Sequence, residues 1–194
     1  MLPALVASGC GGGGDRQDAD EPKGNFEVEV VRADFPDKQK LARRSELEIV
    51  LRNADQRRVP NIAVTVKGFE KRKNDPDLAD PTRPQFVING RFADFGGIRD
   101  AEERAPKGGT TAYVSTWALG PLRPGETKTF KWDVTAVSAG PYKITYEVAA
   151  GLDGKARAVD DTGETPRGEF AGTVDDKAPK TRIAADGKTV VTED

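Results

Sequence analysis

Through the middle of the chain, apolar and polar residues alternate with the period of two that marks half-buried strands. Phe26-Glu-Val-Glu-Val-Val31 opens the series, and Asp34-Phe35-Pro36-Asp37 closes that strand as a turn. Residues 46–53 place Leu47, Ile49 and Leu51 on one face, and residues 62–67 do the same with Ile62, Val64 and Val66. The short polar link 54–61 predicts that these two strands pair antiparallel. Residues 112–119 form a further predicted strand, and Gly120-Pro-Leu-Arg-Pro-Gly-Glu126 a turn. Residues 128–134 then aim Phe130, Trp132 and Val134 inward, and residues 142–148 aim Tyr142, Ile144, Tyr146 and Val148 inward. A short strand over 155–159 ends the run. Seven strands, each with one apolar face, need a second sheet to cover them, so the predicted fold is all-β, a single β-sandwich of about 7–9 strands.

Composition agrees. Val (17) outnumbers Leu (9), and 21 Gly with 13 Pro favour strands and turns over helices. Thirty Lys and Arg against 32 Asp and Glu leave a net charge of −2, which argues against a nucleic-acid groove. The chain has no histidine and one cysteine, Cys10. Ser-His-Asp and Cys-His nucleophiles, the usual zinc sites and an intrachain disulfide are therefore excluded. No catalytic residue, cofactor or metal site is expected.

Two stretches stand apart from the strand pattern. Residues 70–111 separate two strands and hold 16 charged residues together with Phe86, Phe92 and Phe95, three of the eight phenylalanines. Connections of this length are uncommon in compact domains and tend to be functional or disordered. Two readings fit: Phe86-Val-Ile88 is an added edge strand with Phe92 and Phe95 folded onto a sheet, or the segment is a recognition loop on a rigid scaffold. Residues 160–194 read as a tail in which 168–174 suggests one more edge strand. Asp186-Gly187 there suggests a hairpin between 182–185 and 188–191.

Candidate sites in the body are few. Asn74, Asp75, Asp77 and Asp80 are oxygen ligands at short spacing, but Lys71, Arg72 and Lys73 beside them favour a self-neutralised loop over a calcium site. Asp160-Asp161 and Asp175-Asp176 raise the same metal idea with the same answer. Trp117 and Trp132 could line a sugar platform, but their strand positions favour the core.

At the amino end, Met1-Leu-Pro-Ala-Leu-Val-Ala-Ser-Gly-Cys10 is uncharged and apolar, and four glycines follow. This resembles a bacterial lipoprotein signal with Ala7-Ser8-Gly9-Cys10 as the lipobox. The resemblance implies that the Cys10 thiol receives a diacylglyceryl group and that the chain is cut just before it. Residues 1–9 are then a signal-peptide remnant, and their lack of charge places the expected start upstream. Residues 10–24 are a lipidated flexible linker, 25–159 the sandwich with its insertion, and 160–194 the tail.

Gly140-Pro-Tyr142-Lys-Ile144 resembles the start of strand F in immunoglobulin-like domains, with Ile144 where antibodies carry cysteine; the resemblance implies a tyrosine corner at Tyr142. The order Leu47-Glu-Ile-Val-Leu-Arg-Asn53, Val59-Pro-Asn-Ile-Ala-Val64 and Trp117-Ala-Leu-Gly-Pro-Leu-Arg-Pro-Gly-Glu126 is similar to bacterial cell-surface repeat domains of the CARDB type. Neither motif occurs twice, so a repeat stalk is excluded within this chain. Together these imply a protein exported and anchored on the extracytoplasmic face of the cell membrane. Its non-catalytic Ig-like module would serve binding or adhesion toward an envelope or extracellular protein or glycan. The alternatives are a structural subunit packed into an envelope complex through a sheet edge, and, further off, a carboxylate-dependent envelope hydrolase.

Overall fold

The computed structural model describes residues 20–70, 83–89, 115–177 and 180–193. Ten strands form two five-stranded sheets: β1 (Gly24–Asp34), β2 (Lys38–Lys40), β3 (Arg44–Asn53), β4 (Ala63–Lys67), β5 (Phe86–Ile88), β6 (Thr116–Ala118), β7 (Thr127–Ala136), β8 (Gly140–Ala149), β9 (Ala156–Val159) and β10 (Arg167–Asp175). The first sheet runs β5-β7-β3-β1-β9 and the second β2-β10-β8-β4-β6. A separate hairpin pairs β11 (Lys180–Ile183) with β12 (Val190–Glu193) around Asp186 and Gly187, as the turn residues predict. The chain forms an immunoglobulin-like β-sandwich.

Alternation places the inward residues as expected. Leu47, Ile49 and Leu51 of β3, Phe130, Trp132 and Val134 of β7, and Ile144 and Val148 of β8 are all buried in one core. Trp132 is fully buried, edge-on to Trp117 at 5.4 Å and stacked on Phe130 at 5.9 Å, so neither tryptophan forms a surface platform.

Three expectations need correction. β3 and β4 do not pair: β3 lies between β7 and β1, while β4 lies between β8 and β6. The eight-residue link 54–61 is long enough to cross the ~10 Å between stacked sheets, so it joins layers instead of neighbours. Second, the sandwich does not end at residue 159. β10 runs between β2 and β8, pairing Arg167 with Glu147 through Val174 with Gly140, which extends the domain to Asp175. Gly168 and Gly172 on its inner face leave room for the rings of Tyr146 and Tyr142, which a Cβ at either position would overlap. Third, the segment expected as a flexible linker over 10–24 is docked from residue 21: Glu21 bonds the 152–156 loop and Gly24 starts β1, paired in parallel with Ala156 of β9.

The strands run between two poles. At one lie the start of β1, the 54–61 link, the 119–126 turn and the 150–156 loop. At the other lie the β1–β2 turn, residues 68–70, the start of β5, the 137–140 turn and the end of β10.

Candidate functional site

The first pole is organised by polar side chains that satisfy backbone groups. The Glu21 carboxylate accepts hydrogen bonds from the N–H groups of Leu152 (2.7 Å), Asp153 (2.8 Å) and Ala156 (2.6 Å). Three convergent N–H groups make a small anion-binding nest, here filled by the chain's own acid. Gly151 is part of the fit, because a Cβ there would overlap the Glu21 carboxyl. Beside it, buried Asn53 donates through Nδ2 to the carbonyls of Arg57 (2.9 Å) and Leu122 (2.8 Å), and its Oδ1 accepts from Asp55 N–H (2.9 Å). The Asn that closes the strand motif is therefore a staple between the 54–61 link and the 119–126 turn. Asp55 in turn accepts from the N–H of Glu27 and from Arg57, and the Arg57 guanidinium holds its carboxyl down at about 2. This is the leash pole, since the chain leading back toward Cys10 leaves from it.

The opposite pole is organised by aromatic rings. Phe35 meets Phe69, Phe86, Tyr142 and Phe170 edge-on, with centroids 5.6–6.4 Å apart, a favoured aromatic geometry. The Tyr142 hydroxyl donates to the Pro36 carbonyl, and Gln39 Nε2 donates to the same carbonyl at 3.1 Å. Ser45 Oγ donates to Gln39 Oε1 at 2.7 Å. Tyr142 is thus a tyrosine lock on the β1–β2 turn. Burial pushes its phenol above the ordinary tyrosine range.

On this distal pole a shallow groove of about 710 Å³ opens between β2, the 137–140 turn and the end of β10, flanked by Lys38, Lys40, Asp175 and Asp176 over Gly140 and Val174. The Lys177 N–H holds the Asp175 carboxyl low. Gln85 Nε2 donates to Gly140 O at 2.9 Å, tying the groove wall to β5 of the long insertion. A second groove, about 430 Å³, crosses the outer face of the second sheet over Thr65, Thr145 and Glu147, with Arg167 and Glu169 at its side. Mixed charge and backbone groups of this kind can hold a polar partner. Among the described residues no three His, Cys, Asp or Glu side chains converge as metal ligands.

The sequence candidates fall out unevenly. Phe86 is buried in the aromatic cluster and belongs to the edge strand β5, so it is core and not a binding anchor. Asn89 fixes the end of that strand, donating to Thr135 Oγ1 at 2.8 Å. Asp160 is a turn cap: its Oδ1 accepts from the Thr162 hydroxyl (2.6 Å) and from the N–H groups of Thr162 and Glu164. Cys10, the lipobox 7–10, Asn74, Asp75, Asp77, Asp80, Phe92 and Phe95 lie outside the described residues. Sequence reasoning missed Glu21 and the Arg57–Asp55 pair; no local pattern marks Glu21, whose partners lie 131–135 residues away.

The sheet edges bear on the envelope-subunit alternative. The bounding strands β5, β2 and β6 have three residues each and β9 has four. β1, where β9 no longer covers it, carries a bulge at Val31, between Val30 and Arg32. Short, bulged and charged edges resist strand addition.

No protein-family model matches the chain, and no curated protein matches it in sequence. Solved structures similar to it include the CARDB domain of a Pyrococcus furiosus protein, crystallised with di-metal ions, at 16% identity and a TM-score of 0.40, covering 77% of this chain and 90% of that domain. Native alpha-2-macroglobulin from Escherichia coli, from domain MG7 to its C-terminus, is similar at 15% identity and a TM-score of 0.43, over 82% of this chain and 20% of that one. AvmM, which catalyses macrocyclization in alchivemycin A biosynthesis, is similar at 11% identity and a TM-score of 0.40, over 80% and 91%. None of the three transfers a ligand or an activity to this chain.

Proposed function

We propose that this chain is an exported lipoprotein, held by a lipid on Cys10 to the extracytoplasmic face of the cell membrane. Its sandwich is a non-catalytic module that binds an envelope or extracellular protein or glycan. One observation carries the reading: the sandwich has two chemically different ends. The chain toward Cys10 docks through Glu21 at one pole, while Glu70, β5 and the groove beside Lys38 and Lys40 belong to the other. A lipid at Cys10 holds the leash pole toward the membrane and leaves the distal pole facing outward. Two or three acyl chains give the stable anchoring that one does not.

The anchor is tested by fractionating cells that express the chain behind a functional export signal. Cys10→Ser is expected to release a folded protein from the membrane fraction; a Ser variant that still pellets with membranes overturns the anchor. The binding role is tested by replacing residues 91–111 with a short Gly-rich link, which keeps β5 and Asn89. The shortened protein is expected to fold, since loop closure costs change slowly with length, and to lose its partner in intact-cell crosslinking. Retained capture moves the binding surface to the Lys38–Asp175 groove or the outer sheet face.

A further inference from the structure

At the leash pole Glu21, Asp55 and Glu126 are engaged by backbone N–H groups, while several basic side chains face outward. Glu21 faces three backbone N–H groups, Asp55 bonds backbone N–H groups and Arg57, and the Glu126 carboxylate accepts from Arg123 N–H at 2.6 Å. Arg58, Arg123 and Lys23 are exposed. Asp20 and Glu27 are exposed acids at the same pole, but neither forms an ion pair with these three among the described residues. Arg58 and Arg123 flank the two-bond antiparallel bridge between Val59 and Leu122, so they are cross-strand neighbours. Like charges directly opposite one another destabilise a pair of strands. An anion bridging the two guanidinium forks would offset that repulsion.

We infer that this pole is a contact face for anionic lipid headgroups, with Arg58 and Arg123 clamping phosphate and Lys23 beside them. The inference rests on the membrane-anchored reading, which supplies the occupant. The chain from Cys10 to Asp20 reaches at most ~35 Å at full extension, and it leaves from this pole, so a lipid on Cys10 brings the arginines to the bilayer surface. The net charge of −2 does not oppose this, because only charges within about a Debye length, ~8 Å, act on a membrane surface.

The test is flotation of the full chain carrying Cys10→Ser, hence unlipidated, with phosphatidylglycerol–phosphatidylcholine vesicles and with pure phosphatidylcholine vesicles. The chain is expected to float with the anionic vesicles at low salt, to be released at high salt, and to ignore the neutral ones. Each basic side chain near a bilayer is worth roughly fivefold, so Arg58→Ala with Arg123→Ala is expected to weaken binding ~25-fold. Arg58→Lys with Arg123→Lys keeps the charge but loses the forks and is expected to recover only part of the binding, and Lys38→Ala with Lys40→Ala at the opposite pole leaves it unchanged. No binding to anionic vesicles, or equal loss from variants at either pole, overturns the inference. The anchor is read separately by fatty-acid labelling of Cys10 in cells. A chain that fails to label but still floats refutes the anchor alone, and one that labels but does not float refutes the headgroup face alone.

Discussion

At the leash pole, loops are held by carboxylates and an amide bonded to backbone groups; at the distal pole they are held by packed aromatic rings. Glu21, Asn53 and Asp55 do the first work, and Phe35, Phe69, Phe86 and Tyr142 the second. The difference is physical. A hydrogen bond to a backbone N–H fixes a loop precisely in direction but contributes only ~1 kcal/mol net. A buried aromatic ring contributes several, mostly through burial of apolar area, which is non-directional. The polar pole can therefore be loosened one contact at a time, whereas the aromatic pole fails with the core. A chain tethered at one end and binding at the other gains from a rigid distal platform, because binding loops work best on a rigid support.

The largest break is expected at the aromatic pole. Phe86→Ala removes a ring that touches Phe35, Phe69 and Tyr142 and anchors β5. It should cost ~3–5 kcal/mol, read as a fall in the denaturant midpoint with an unchanged slope. That is a large part of the ~5–15 kcal/mol a domain holds in total. A variant with wild-type stability would mean that β5 is peripheral.

Next comes the polar pole. Asn53→Ala leaves the carbonyls of Arg57 and Leu122 and the Asp55 N–H without the partner they have now, at a cost of ~1–3 kcal/mol. Hydrogen exchange should rise in the 54–61 link and the 119–126 turn while the Phe35 cluster stays protected. Uniform loss of protection would contradict the separation of the poles.

Tyr142→Phe keeps the ring and deletes the hydroxyl's bond to Pro36 O together with the long one it accepts from Gln39 Nε2 at 3.4 Å, so a thermal scan should show a loss of ~0.5–1.5 kcal/mol. A loss of several kcal/mol would mean that the hydroxyl, not the ring, holds this turn.

Smallest and most diagnostic are the two pH limbs. Asp55 sits at about 2 in the folded chain, below the ~3.9 of an unfolded Asp, so the stability it contributes is present above pH ~4 and is lost as pH falls toward 2. Tyr142 is shifted the other way. Its folded phenol titrates above the unfolded value of ~10, so its contribution is intact below pH 10 and is lost as pH rises through the folded value. Asp55→Asn should make the acid limb of a melting-temperature profile shallower, a limb Asp186 shares, and Tyr142→Phe the alkaline limb, which Tyr146 shares. Either variant flattening both limbs would show that the poles are coupled.

The contrast also explains what was legible in the sequence. Aromatic and aliphatic positions announce themselves by alternation, so Phe130, Trp132, Tyr142 and Ile144 could be placed inward, and Asp186-Gly187 could be read as a hairpin. Sheet membership could not be read, because a link such as 54–61 suits either a neighbour or a crossing. β10 suggested only an edge strand in a tail, not a strand inside the second sheet, because its inner face carries Gly168 and Gly172, whose purpose is visible only once Tyr146 and Tyr142 lie against them. The polar pole was the least legible. Glu21 is one acid in a polar run, and its role exists only through Leu152, Asp153 and Ala156.

The central claim is orientation: leash pole toward the bilayer, distal pole toward a partner. Photo-crosslinking residues placed singly at Lys38 and at Arg123, in intact cells expressing the full-length gene, test it most directly. The account predicts a discrete protein or glycan adduct from position 38 and lipid adducts from position 123. Lipid adducts from position 38, with partner adducts from position 123, would contradict it.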